Sequence, residues 1–180
     1  MKKVLFVIAL SIAVAGLNAQ NTRQNAIKLN PLSLAFATGN IAYERAVGPT
    51  QSFQIGGFYS GFNMGDIKYS GFGVTPEYRF YFAGAKQALN GVYAGPYARY
   101  QNFNLTDKAS TNKTTFTSYG GGAIIGWQKM WSSGFTFDLF AGPGYNAGKF
   151  KNSNDESEFN LKFGINGFSL RTGITVGFGF

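Results

Sequence analysis

The chain closes on "SLRTGITVGFGF", in which apolar positions alternate with small or charged ones. A period of two places Leu170, Thr172, Ile174, Val176, Phe178 and Phe180 on one strand face, and Arg171, Gly173, Thr175, Gly177 and Gly179 on the other. The pattern recurs in "GFGVTPEYRFYF", where Phe72, Val74, Tyr78, Phe80 and Phe82 oppose Gly73, Thr75, Glu77, Arg79 and Tyr81. It recurs again in "FTFDLFAGPGYNAG", where Phe135, Phe137, Leu139 and Tyr145 oppose Thr136, Asp138, Phe140 and Asn146. After the first twenty residues no window carries a helical period, and glycine interrupts every candidate helix. Eight strands are predicted: Ile27–Ala37, Ile41–Val47, Ser52–Phe62, Tyr69–Phe82, Gly91–Leu105, Thr115–Met130, Phe135–Phe150 and Ser169–Phe180. Strands of about ten residues or more are long enough to cross a hydrocarbon layer when tilted.

Two places break the phase. In "AIKLNPLSLAF" the apolar positions slip by one at Asn30-Pro31, and in "SFQIGGFYSGF" they slip at Gly56-Gly57; a β-bulge is expected at each. Pro76, Pro96 and Pro143 also fall inside strands, so each is expected at a bulge or at the end of a ladder.

The start of the chain sets the expected compartment. Met1-Lys2-Lys3 precedes the apolar run "VLFVIALSIAVAGL", which is too short for a comfortable transmembrane helix and reads as a secretory signal peptide over residues 1–19. Residues 20–180 then form one domain. If its N-terminus is periplasmic, the turns on that side are "GPTQ", "AGAKQAL" and "WSSG". The opposite side carries "NMGDIK", "DKASTNKT" and "NSNDESEFNLKFGINGF", with a short first loop at Thr38-Gly39-Asn40. Short inner turns and longer outer loops mark an outer-membrane barrel. Trp127, Trp131 and Phe135 gather at the proposed periplasmic side, where interfacial aromatics belong.

Composition narrows the chemistry. Aromatic residues make up 17% of the chain, charged residues only 13%, and there are 25 glycines, as expected for short aromatic strands separated by turns. Without Lys2 and Lys3 the balance is 14 basic against 8 acidic residues, scattered singly, with no run of three Lys or Arg, which argues against nucleic-acid binding. Histidine and cysteine are absent, which removes the usual general base, thiol nucleophile and commonest transition-metal ligands. No enzymatic activity, cofactor or metal is expected.

Glu44, Glu77 and Asp138 fall on the small or polar strand face together with Arg79, Arg99 and Arg171. Three charges of each sign inside a narrow barrel are tolerable only if paired, so a salt-bridged plug is expected. A catalytic Glu77–Asp138 pair is the sharper alternative, with charge compensation preferred. Tyr93, Tyr97 and Phe140 share these faces and fill barrel volume or line a small cavity. Asp155, Glu156 and Glu158 lack the ordered spacing of a calcium loop.

The signal segment, the eight strands and the terminal Phe178-Gly179-Phe180 together resemble the small outer-membrane barrels typified by OmpX and the OmpA transmembrane domain. The resemblance implies an all-β, eight-stranded antiparallel up-and-down transmembrane barrel in the bacterial outer membrane. It also implies outer-membrane lipid as surroundings, and Phe178 and Phe180 as a signal read by the barrel-assembly machinery. Thr175 stands where that signal has a glycine. The opening "NAIKLNPLSLAFATGNIAYER" further resembles a family of uncharacterised predicted outer-membrane barrels, with Lys28, Asn30 and Glu44 at matching positions. The expected function is a plugged, monomeric barrel with a structural or surface-interaction role through its outer loops. The alternative is a carrier of a small hydrophobic ligand, as a membrane barrel with a side opening or a soluble lipocalin-like barrel.

Overall fold

The computed structural model describes residues 23–64, 67–107, 113–152 and 167–180. The segment read as a signal peptide and the acids Asp155, Glu156 and Glu158 lie outside the described residues. The strands are β1 (Asn25–Leu29), β2 (Thr38–Gly48), β3 (Gln51–Met64), β4 (Ile67–Gln87), β5 (Asn90–Asp107), β6 (Lys113–Met130), β7 (Phe135–Asn152) and β8 (Gly167–Gly179). Each pairs antiparallel with its neighbour in sequence, and β1 pairs with β8 to close the barrel. At one end Pro49-Thr50, Ala88-Leu89 and the 131–134 turn make tight connections. The other end carries the connections 30–37, 108–112 and 153–166, together with the two-residue connection 65–66, where most of the expected loop "NMGDIK" is instead paired strand.

The first strand corrects the sequence pattern. β1 stops at Leu29, and the expected bulge at Pro31 is instead a one-turn helix, α1 (Pro31–Leu34). Asn30 caps it, its Oδ1 accepting from the backbone N–H groups of Leu32 and Ser33. Proline at a first helical turn sacrifices no hydrogen bond and arrives with a suitable φ. Thr38-Gly39-Asn40, expected as the first outer loop, belongs to β2, and the connection is residues 30–37.

The expected slip at Gly56-Gly57 is also absent, since β3 stays in register with β2 and β4 through both glycines. Phe58 therefore turns inward, where its ring lies 5.9 Å from that of Phe103. Tyr69 and Phe116 stack on Phe103 at 5.5 and 6.4 Å, forming an aromatic layer at the loop-bearing end.

Pro76, Pro96 and Pro143 sit in mid-strand, in unshifted register, and not at bulges or ladder ends. Each is paired on one side, with Ile55, Ala123 and Leu170 respectively. On the other side only rungs are lost: β4–β5 pairing skips from Val74–Tyr100 to Glu77–Tyr97 and then to Phe80–Ala94, and β6–β7 pairing skips from Gly122–Gly144 to Ile125–Ala141. Proline removes a donor without changing the pleat. Glycine lets the backbones converge at these skips: a Cβ on Gly95 would meet the Tyr78 carbonyl oxygen, and one on Gly142 that of Ala123.

The two faces of the wall have opposite chemistry. Lys28, Glu44, Glu77, Arg79, Gln128 and Asp138 are buried in the interior. Outward lie Leu170 (69% exposed), Ile125 (57%), Phe178 (54%), Phe80 and Phe72. Burial of this polar set is the reverse of the usual distribution in a globular domain.

Candidate functional site

The interior is organised around Lys28 and Arg79, which project from β1 and β4 into the middle of the barrel. Ile27 and Leu29 face outward on either side of Lys28, so strand alternation alone drives the ammonium inward. Its Nζ donates to Glu44 Oε2 (2.6 Å), Asp138 Oδ2 (2.9 Å) and Gln128 Oε1 (2.9 Å). Arg79 donates from Nη1 to Asp138 Oδ2 (2.8 Å) and from Nη2 to Glu77 Oε2 (2.8 Å). Its guanidinium lies 4.3 Å from the Tyr93 ring centroid, within cation–π range.

The outer oxygens of the cluster are also used. Ser52 and Tyr81 hydroxyls donate to Glu44 Oε1, Tyr93 donates to Asp138 Oδ1, and Arg171 Nη2 donates to Glu77 Oε1. Every carboxylate oxygen of Glu44, Glu77 and Asp138 thus accepts at least one hydrogen bond. Satisfied networks of this kind are rigid. Glu77 and Asp138 are bridged by Arg79 and do not face a shared open space.

The turn between β4 and β5 packs against this layer. Ala88 and Leu89 are buried, and the Leu89 carbonyl accepts from Gln128 Nε2 at 3.2 Å. Leu89 holds a left-handed φ of 68°, a conformation that non-glycine residues rarely adopt, so the surrounding contacts must fix it. The Leu89 carbonyl thus ties this turn to the ionic layer through Gln128.

Five of the six interior charges read from the sequence meet here: Glu44, Glu77, Asp138, Arg79 and Arg171. Arg99 stands apart, its Nε donating to Thr75 Oγ1 at 3.3 Å, with no ion pair to an acid among the described residues. Sequence reasoning counted three charges of each sign and missed Lys28, although its place between two outward apolar residues signalled it. Gln128, Ser52 and Tyr81 were missed too, because alternation gives a residue's face but not its partner across the lumen. Tyr97 and Phe140 flank the Arg171 guanidinium at 4.9 and 4.5 Å and so fill volume around it.

The remaining predicted positions lie on the outer wall or at its seam. Trp127 (43% exposed), Trp131 and Phe135 face outward, with Trp131 and Phe135 rings 5.3 Å apart at the tight β6–β7 turn. Phe178 faces outward beside Phe135, and Phe180 exchanges two backbone hydrogen bonds with Asn25, at 2.9 and 3.0 Å.

A family model described as "Protein of unknown function (DUF3575)" matches residues 4–166. Neither the curated proteins nor the solved structures contain a match to the chain. Because the family match spans most of the sequence, this eight-stranded barrel belongs to the DUF3575 family of proteins of unknown function.

Proposed function

We propose that the chain is an outer-membrane barrel whose lumen is closed by the ionic layer and whose activity resides at its loop-bearing end, as a structural or surface-interaction protein. The observation that carries this reading is the inverted polarity of the wall. Lys28, Glu44, Arg79 and Asp138 are enclosed, while Phe72, Phe80, Ile125, Leu139 and Leu170 face outward. Among the described residues that exterior is apolar over a length of β8 from Phe178 to Phe168. Ten residue steps of a tilted strand give about 25 Å of height, the hydrophobic thickness of an outer-membrane barrel.

Further support comes from the aromatic residues at both ends of the outer wall, Trp131, Phe135 and Phe178 below and Tyr59, Phe72, Tyr119 and Tyr145 above. The leading segment 1–19 accords with export, and the terminal Phe178 and Phe180 with handling by the barrel-assembly machinery. A monomer is the simplest state for a closed sheet.

Membrane fractionation followed by electrophoresis with and without boiling tests the reading. A band in the outer-membrane fraction that changes mobility on heating is the expected result, together with no conductance in planar bilayers. A soluble band of unchanged mobility would overturn it.

A further inference from the structure

The barrel wall changes character above Leu29. β1 and β8 are joined by Ala26–Gly179, Ile27–Phe178, Lys28–Gly177 and Leu29–Val176, after which the chain leaves the sheet to form α1. Residues 167–175 of β8 pair with β7 but have no backbone ladder on their other side among the described residues. In the proposed membrane this open edge would lie within the apolar band, where backbone groups need polar partners.

Outside the gap lies an apolar groove. Leu32 and Phe36 from the α1 segment form one wall, and Trp127, Leu139 and Ile174 another, with Phe140 also in its lining; its volume is about 770 Å³. Sites for small molecules commonly enclose about 300–1,000 Å³.

Inside the gap the charge is unbalanced. Arg171 lies in the middle of the open edge with its side chain only 10% exposed, and although Nη2 is bound to Glu77, its Nε and Nη1 have no hydrogen-bond partner among the described residues. Its guanidinium packs on the ring of Phe140, a residue that also lines the groove. Arg99 makes no ion pair among the described residues, its Nε donating instead to Thr75 Oγ1. Among the described residues the lumen therefore holds four cations, Lys28, Arg79, Arg99 and Arg171, against the acids Glu44, Glu77 and Asp138. A guanidinium with spare donors is suited to a carboxylate or phosphate.

We infer that the gap between β8 and β2 is a lateral binding site for a single-chain amphiphile of the surrounding membrane. The alkyl chain lies in the groove under α1, and the anionic head reaches Arg171 and Arg99. The apolar groove supplies affinity for the chain, and the excess cation supplies selectivity for the head. This inference rests on the membrane reading and goes beyond the structural role proposed above.

Trp131→Phe leaves Trp127, within the groove, as the sole tryptophan of the chain. The full-length protein carrying that change is placed in phosphatidylcholine vesicles, and a brominated fatty acid or the matching brominated fatty alcohol is added at equal membrane fraction in alkaline buffer. Several-fold stronger quenching of Trp127 by the acid is expected, undiminished by excess acetate, which lacks the chain. Arg99→Gln, on which no carboxylate depends, should reduce quenching by the acid to that by the alcohol while preserving the heat-dependent gel shift; Arg171→Gln should do the same where it folds. Equal quenching by acid and alcohol in the parent protein, or a preference for the acid that survives Arg99→Gln, overturns the site. Loss of the gel shift in the parent protein instead overturns the membrane-barrel reading itself, so the two failures are distinguishable.

Discussion

At the short-turn end of the barrel each buried charge has its complement: Lys28 and Arg79 are surrounded by Glu44, Glu77, Asp138 and Gln128, and the Ala88-Leu89 turn packs beside them. Toward the loop-bearing end, among the described residues, the lumen holds Arg99 without an ion-paired acid, Arg171 with two unsatisfied nitrogens and a stack of aromatic rings, and β8 has an open edge. Both halves are walled by the same strands. The difference teaches that alternation builds the wall, whereas the balance of inward groups decides whether a given height of it is inert filling or a site.

Breaking the lower half should have the largest effect. Asp138→Ala would leave Lys28 and Arg79 short of a shared carboxylate, and a loss of about 3–5 kcal/mol is expected for a buried charge stripped of its partner, measured as the urea midpoint in lipid vesicles. Gly142→Ala would drive a Cβ into the Ala123 carbonyl at the skip beside Pro143, lowering the same midpoint by about 1–3 kcal/mol. Arg171→Leu lies between the two halves. Glu77 keeps Arg79 as a partner, so a loss of about 1–2 kcal/mol is expected, less than for Asp138→Ala. Arg99→Gln belongs wholly to the upper half and should shift the midpoint by less than about 1 kcal/mol. An effect of Arg99→Gln as large as that of Asp138→Ala would erase the distinction between the halves.

Much of the wall was legible from the alternation itself. Glu77 and Arg79 lie between Pro76, Tyr78 and Phe80, and Asp138 between Phe137 and Leu139, so their inward direction followed from period two. Lys28 was harder to weigh because β1 is short and the following Pro31 suggested a bulged longer strand. The helix that replaces that strand depends on Asn30 capping it, a local competition that hydrophobic phase does not register. The isolation of Arg99 and the open edge of β8 were out of reach for another reason. Both depend on where distant strands end and which side chains meet across the lumen.

The short β1 has a mechanical consequence. A closed sheet behaves as a hoop, and its resistance to being pulled apart is set by its narrowest join. Here that join is the overlap of β1 with β8, spanning Ala26–Leu29 and Val176–Gly179, with the Asn25–Phe180 exchange at its lower margin, whereas β3 and β4 are zipped from Gln51–Phe80 to Met64–Ile67. Tension applied to the start of the chain would peel β1 away one rung at a time and open the hoop at that join, while the long hairpins on the opposite wall stayed intact.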